Sequence, residues 1–411
     1  MVRAPIQLPK WLRGLLWGLL LIGVVTFLVE ARGPNRLRAW QTFLVNFLFF
    51  SGMAQGGLVF AAAYDLTRAR WGEAVRRLAQ GMAAFLPVSL LLFLCLFPGS
   101  PILFPWVLNP IPEKQTWLNL PFLFSRDLLG LLALYSFGLA YLFCSLRPEI
   151  GAAVDQQRGH VPRLWALFTR EWRGIEAERE RNHRLLAILS PLFIIFYALV
   201  FSLLGFDLVM SLDRHFVSSL FGAYFFMSSF YVGLAGIALF AVFLRRPLGL
   251  EGSIGRSQFH DLGKLLFGFC LVAGDFFWSQ YAVIWYGNLP EETEYVIVRT
   301  KEMPWAPLAL VVLIVSFLGP FLLLLSRRIK EHPMTLAAVA SLIVVGMWLE
   351  RFLLVVPSLW HKPDLPLGWI ELFITLGFLA SFVLTYLAFV TRLPIPASAL
   401  SPLGEARGEA R

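Results

Sequence analysis

The sequence predicts an all-α integral membrane protein with about ten transmembrane helices, and three observations predict it. Of its 411 residues, 58% are hydrophobic and 15% are Asp, Glu, Lys or Arg, where an ordinary soluble domain carries about 25% charged residues. The apolar residues gather into runs of about 20, the length that crosses a hydrocarbon core. The charges between those runs are biased in sign from one side to the other.

The ten runs fall at roughly residues 13–29, 40–63, 78–97, 126–145, 187–206, 219–244, 260–286, 304–326, 334–356 and 368–390. Together they define a membrane domain over 13–390, preceded by a short segment 1–12. Runs this long exclude a barrel, whose strands are short and alternating. The first run follows Arg3, Lys10 and Arg13 and ends in Phe27-Leu28-Val29-Glu30. That ending offers no small-residue cleavage site, so the run reads as a retained span. Gly52 and Gly56 on the second run, and Gly233 and Gly236 on the sixth, allow close helix approach. The stretch 98–125 is rich in Pro and aromatic residues and predicts an ordered, irregular cap. Mixed charges three and four apart over Arg170–Arg181 predict an exposed helix, either a solvated connector or a docking surface. The tail 391–411, with Pro394, Pro396 and many charges, predicts disorder.

Of the 35 Lys and Arg residues, 25 fall in the two terminal segments and loops 64–77, 146–186, 245–264 and 327–333. The other 10 lie on the opposite side, so both termini are expected in the cytoplasm of a bacterium whose inner membrane holds the chain. The net charge of +9 is therefore topological. The basic residues interrupt apolar runs and form no stripe on a folded face, so the expected partner is the bilayer and no nucleic acid. Cys95, Cys144 and Cys270 make no C-x-x-C pair, which leaves no thiolate zinc or iron–sulfur motif. None of the histidines at 160, 183, 215, 260, 332 and 361 lies mid-span, where a b-haem would need a pair. The phosphate-loop pattern of ATP-driven transport does not occur. The chain is expected to hold no metal and no covalently bound cofactor, so electrons would travel elsewhere.

Ionisable residues at membrane depth are the candidate site, because they are costly there and usually face a bundle interior or a wet cavity. On the seventh run His260, Lys264, Asp275, Ser279 and Tyr286 share a face, since 11-residue steps return to within 20° of a full turn. They read either as a proton half-channel or as interfacial groups with Asp275 bonded to a neighbouring helix. A second set gathers on the outer side. It comprises Arg126 and Asp127, then Asp207, Asp213, Arg214 and His215, then Glu350 and Arg351, with His361 and Glu371 nearby. Simple ion pairs would explain these, and so would a site that exchanges protons with the outside. Quinol oxidation needs such acceptors near the hydroxyls. The quinone or proton-path candidates are therefore Asp127, Asp207, Asp213 and His215 on the outer side, Lys264 and Asp275 on the inner half, and Glu350 with Arg351 as a gating or structural pair.

Several segments resemble the polysulfide-reductase NrfD-like membrane family: VNFLFFSGMAQGGLVFAA (45–62), RARWGEAVRRLAQGMAAFLP (68–87), TWLNLPFLFSRDLLGLL (116–132), FDLVMSLDRHFVSSLFGAYFFMSSFYVGLA (206–235), HDLGKLLFGF (260–269), FFWSQYAVIWYGNLPEET (276–293) and MWLERFLLVVPSL (347–359). Within that family they look most like the second quinone-binding-type subunit of alternative complex III, a quinol:cytochrome c oxidoreductase. The resemblance implies two four-helix bundles, spans two to five and six to nine, flanked by the first and last spans. It implies a sister NrfD-like subunit, an iron–sulfur and molybdopterin-like subunit and haem c subunits as partners, and contact with a quinone such as menaquinone. The chain departs from the family pattern at Arg214, at Ala273-Gly274-Asp275, and on the first core helix, which has Asn46 and no histidine. Two other readings stay open: a quinol-oxidising anchor of a molybdopterin/iron–sulfur oxidoreductase, and a secondary transporter.

Overall fold

The computed structural model describes residues 9–156 and 163–392. The tail 393–411, for which the sequence predicts disorder, and residues 1–8 lie outside the described residues. Among the described residues ten helices are long and apolar enough to cross a membrane: α1 (Lys10–Glu30), α2 (Arg36–Leu66), α3 (Glu73–Leu103), α4 (Leu120–Asp155), α5 (Ile175–Leu212), α6 (Phe221–Leu244), α7 (Arg256–Gly287), α8 (Trp305–Leu325), α9 (Pro333–Val355) and α10 (Trp369–Val390). Each contains one of the ten apolar runs or nearly coincides with it, and the described residues form no strand.

Helices α2 to α5 form one four-helix bundle and α6 to α9 a second. The helices α1 and α10 pair on the flank and rest against α2. The apolar window of α2 is wholly buried, which suits a helix that is hydrophobic on every side. It contacts α3 and α5 within its own bundle and α6 and α9 of the other. Glycines make that junction possible. A Cβ on Gly233 would lie 2.7 Å from the Gly56 Cα, and one on Gly52 would lie 2.9 Å from Ser229 Oγ. No side chain fits between backbones that close.

Several helices run past their apolar windows because charged residues at their ends find partners. The charged segment after Arg170 continues directly into α5. Its Glu178 turns inward and takes a bidentate pair from Arg147 of α4, with Nε–Oε2 at 2.8 Å and Nη2–Oε1 at 2.9 Å. Glu180 and Arg184 stay exposed on the other side. The expected cap over 98–125 contains two single-turn helices, Ser100–Leu103 and Pro105–Leu108, and buries Trp106 against Ser211. In α8 the turns over Leu313–Leu318 widen to a π-helix. There the Ser316 carbonyl accepts from the Tyr231 hydroxyl at 3.3 Å and the Phe317 carbonyl from the Cys270 thiol at 3.6 Å.

Overpacking of the bundle junction should be visible as lost stability. Gly233→Val should lower the unfolding temperature of the detergent-solubilised protein, at a cost of about 1–3 kcal/mol. Gly14→Val, at a position where a Cβ meets nothing within 4 Å, should leave it unchanged.

Candidate functional site

The loops richest in Lys and Arg mark one end of the molecule, the basic end. At the opposite end Asp127 lies in the second turn of α4 and Asp207 near the end of α5, both with no exposed surface. Asp207 is fully satisfied. Arg126 grips it with Nε–Oδ2 at 2.7 Å and Nη2–Oδ1 at 2.6 Å, and the Trp117 indole donates to Oδ1 at 3.0 Å. The guanidinium of Arg126 lies 3.9 Å above the Trp117 ring, so the indole both bonds the acid and covers the base. Asp127 faces Asp207, and neither of its own oxygens meets a donor. Two buried carboxyls thus face each other, and Arg126 bonds Asp207 but not Asp127.

Midway along the bundle the Tyr135 hydroxyl meets Ser89 Oγ of α3 at 2.6 Å. The Gln55 side chain of α2 faces the same phenol and has no other partner. At the basic end a dense network closes the bundle. Asp65 of α2 accepts from the Tyr141 hydroxyl at 2.5 Å and from Arg76 Nη1 at 3.3 Å. Arg76 also holds Glu149 at 2.8 Å, Ser145 Oγ at 2.6 Å and Glu73. Arg77 reaches Gln80 at 3.2 Å and Glu149 at 3.6 Å, and Gln80 donates to Ser145 at 2.9 Å.

One face of α4 carries the two ends of this arrangement. Positions 127, 134, 138, 141, 145 and 149 recur at steps of three, four or seven residues, so they line a single stripe, and Tyr135 stands beside it, about 80° round the helix from Asp127. Gly138 within the stripe admits Phe193 and Leu58, whose atoms would lie 2.9 and 3.1 Å from a Cβ. Rising about 1.5 Å per residue, Tyr135 sits about 12 Å from Asp127 and Tyr141 about 9 Å beyond it. Transfer of a proton along such a line would need bridging water or side-chain movement between the polar stations.

The second bundle carries a compact, closed cluster. Arg351 and Glu350 of α9 pair with Nη1–Oε2 at 2.7 Å, and both are buried. The Tyr224 hydroxyl donates to Glu350 Oε1 at 2.5 Å. Arg351 Nη2 donates to Ser228 and Ser229 hydroxyls at 2.7 and 3.1 Å, and its guanidinium lies 4.3 Å over the Phe225 ring. Every donor used here ends on an acceptor, so the buried pair is internally satisfied. Outside the spans, on the short helix Pro290–Thr300, Tyr295 stacks on Phe216 at 3.7 Å and lies under Arg299 at 3.4 Å. Burial pushes the Tyr295 phenol up to about 12, and burial also lowers the Arg299 guanidinium below its ordinary range.

The sequence-derived candidates therefore separate into four groups. Asp127 and Asp207 meet each other, and Glu350 and Arg351 meet each other. Asp213 accepts at Oδ1 from the backbone N–H groups of His215 and Phe216 at 3.1 and 3.2 Å, which makes it a turn residue. His215 is exposed in the same loop. Lys264 is exposed and tied to Asp261 at 2.7 Å, and Asp275 is exposed on the outside of α7. The structure does not bring Lys264 and Asp275 into a path inside this chain. The polar groups at the basic end gather instead in the first bundle, at Asp65, Arg76, Arg77, Tyr141 and Glu149. The stripe spacing on α4 could have revealed them, since Tyr141, Ser145 and Glu149 follow Asp127 in helical register. Glu371 of α10 pairs with Arg38 of α2 at 2.7 Å and caps its own helix at the Gly368 N–H.

The family model for NrfD, polysulphide reductase, matches residues 30–363. The chain belongs to this family. The match spans both bundles from α2 through α9 and so includes the polar line and the Glu350–Arg351 cluster. Members of the NrfD family are membrane subunits of oxidoreductases that interact with quinones and work beside iron–sulfur or molybdopterin subunits. No curated protein matches the chain. A quinone ring needs an apolar slot with polar groups at its ends. Asp213 engages its own turn through Oδ1, and the His215 imidazole stands outside.

The closed pair in the second bundle gives a clear expectation. Arg351→Met should destabilise the protein by about 3–5 kcal/mol by leaving the Glu350 carboxylate buried and unpaired. The double change Glu350→Gln with Arg351→Met should recover most of that loss, as read by thermal unfolding in detergent. Tyr295→Phe should cost little or nothing in the same assay, because the buried hydroxyl it removes has no partner.

Proposed function

We propose that this chain is the proton-conducting membrane subunit of a quinol:cytochrome c oxidoreductase of the alternative complex III type, seated in a bacterial inner membrane with its basic end in the cytoplasm. Quinol is oxidised on a sister NrfD-like subunit, and electrons leave through iron–sulfur and haem c subunits. The observation that carries the reading is the line of polar groups through the first bundle, from half-buried Asp65 and Glu149 through buried Tyr135 and Gln55 to buried Asp127.

The chemistry of each station fits proton transfer. At the basic end Tyr141 offers a hydroxyl already bonded to the Asp65 carboxylate, and Arg76 holds that carboxylate in place. In the middle, the Tyr135 and Ser89 hydroxyls can each donate and accept, so a proton can be handed between them without leaving a charge behind, and the Gln55 amide can hold a bridging water in line. At the far end Asp127 gains a partner when it carries a proton, since its acid form donates to Asp207. Loss of that proton leaves two carboxylates facing one arginine, which favours prompt reprotonation. A carboxyl that is refilled after giving up its proton is suited to passing protons on.

The test is proton translocation by the reconstituted complex. Asp127→Asn and Asp65→Asn should each lower the number of protons moved per electron toward the amount released by quinol oxidation alone, with proton transfer slowed by about 10²-fold or more. Glu180→Gln, at an exposed position on α5, should leave the ratio unchanged. An unchanged ratio in both aspartate variants, in complexes that retain quinol oxidation, would remove the first bundle from proton movement.

A further inference from the structure

Helix α7 is the least enclosed helix of the second bundle, with only 22% of its apolar window buried. Lys264, Leu271, Asp275, Trp278 and Trp285 are all exposed, and their spacing puts them on one face. Lys264 and Tyr286 each lie 11 residues from Asp275, about 16 Å along the helix. That is half the thickness of a hydrocarbon core of about 30 Å. Asp275 therefore stands near mid-membrane, on the outside of the chain. It makes no hydrogen bond or ion pair with any described residue.

A carboxyl at that depth is strongly disfavoured against lipid tails, and such groups pair with protein or face water. We infer that the exposed face of α7 around Asp275 is the docking surface for a transmembrane helix of a different subunit, one that presents a cationic or hydrogen-bond-donating side chain opposite Asp275. Charge selects the occupant. A second copy of this chain in the same orientation would set Asp275 against Asp275 at equal depth, where like charges repel. The chain's own buried arginine in the outer half of the membrane, Arg351, is already paired with Glu350 and cannot serve a neighbour. Trp278 and Trp285, 62% and 63% exposed, supply rigid apolar area beside the acid. Gly268, where a Cβ would meet nothing within 4 Å, leaves room for a close helix approach on the same face. This inference does not rest on the proton path, and a failure of either leaves the other standing.

Photo-crosslinking in native membranes holding the assembled complex tests it. A photoreactive phenylalanine at Leu271 or at Trp278 should join the chain to one other membrane subunit. The attached peptide should come from a membrane-spanning segment with a Lys, Arg, His or hydroxyl side chain at mid-depth. Asp275→Lys should cut recovery of that subunit by about tenfold, equivalent to about 1.4 kcal/mol, and Asp275→Asn should cut it less. Adducts only with lipid, only with a quinone, or only with a second copy of this chain would each overturn the inference. So would an attached segment that carries no donor.

Discussion

Hydrocarbon does not solvate charge, and this single constraint shapes the whole molecule. Most ionic side chains drawn into the interior are met by a partner of matching geometry, and Asp127 is an exception. Arg351 grips Glu350, Arg126 grips Asp207, Arg147 grips Glu178, and Arg38 joins α2 to α10 through Glu371. These pairs fix which helices can be neighbours, because breaking one leaves an uncompensated charge at several kcal/mol. The fold then follows from apolar packing around them, with glycine contacts between α2 and α6 bringing the two bundles together.

Against that background the incompletely satisfied groups stand out. Asp127, Gln55 and the Tyr135 contact lie along the first bundle, where the polar groups spread from end to end. In the second bundle the polar groups gather into a closed knot around Arg351. The same four-helix plan has thus been used once as a line and once as a brace. A line with spare acceptors can change protonation state. A knot in which each donor is engaged resists change and holds the helices in register.

Much of this was legible in the sequence. The ten spans announce themselves because length and low charge are sufficient signals for a helix in lipid. Arg126 beside Asp127, and Glu350 beside Arg351, stand inside apolar runs and invite attention. Asp65, Arg76, Arg77 and Glu149 escaped notice because each sits where an apolar run ends, so hydropathy assigns it to a loop. Only the longer helices of the structure, Arg36–Leu66, Glu73–Leu103 and Leu120–Asp155, show these residues turning inward. The stripe on α7 illustrates the opposite limit. Its helical register was plain, but periodicity says which residues share a face and not whether that face meets the core, lipid or another protein. The partner of Arg38, in turn, lies 333 residues away and could come only from the folded chain.

In a proton relay through the first bundle, Asp127 holds a proton shared with Asp207 and gives it up during turnover. Infrared difference spectroscopy of the complex, recorded between resting and quinol-reduced states, addresses it directly. The account requires a carboxylic-acid C=O band that shifts in heavy water and disappears in Asp127→Asn. A difference spectrum with no such band, or one whose band survives that substitution, would contradict it.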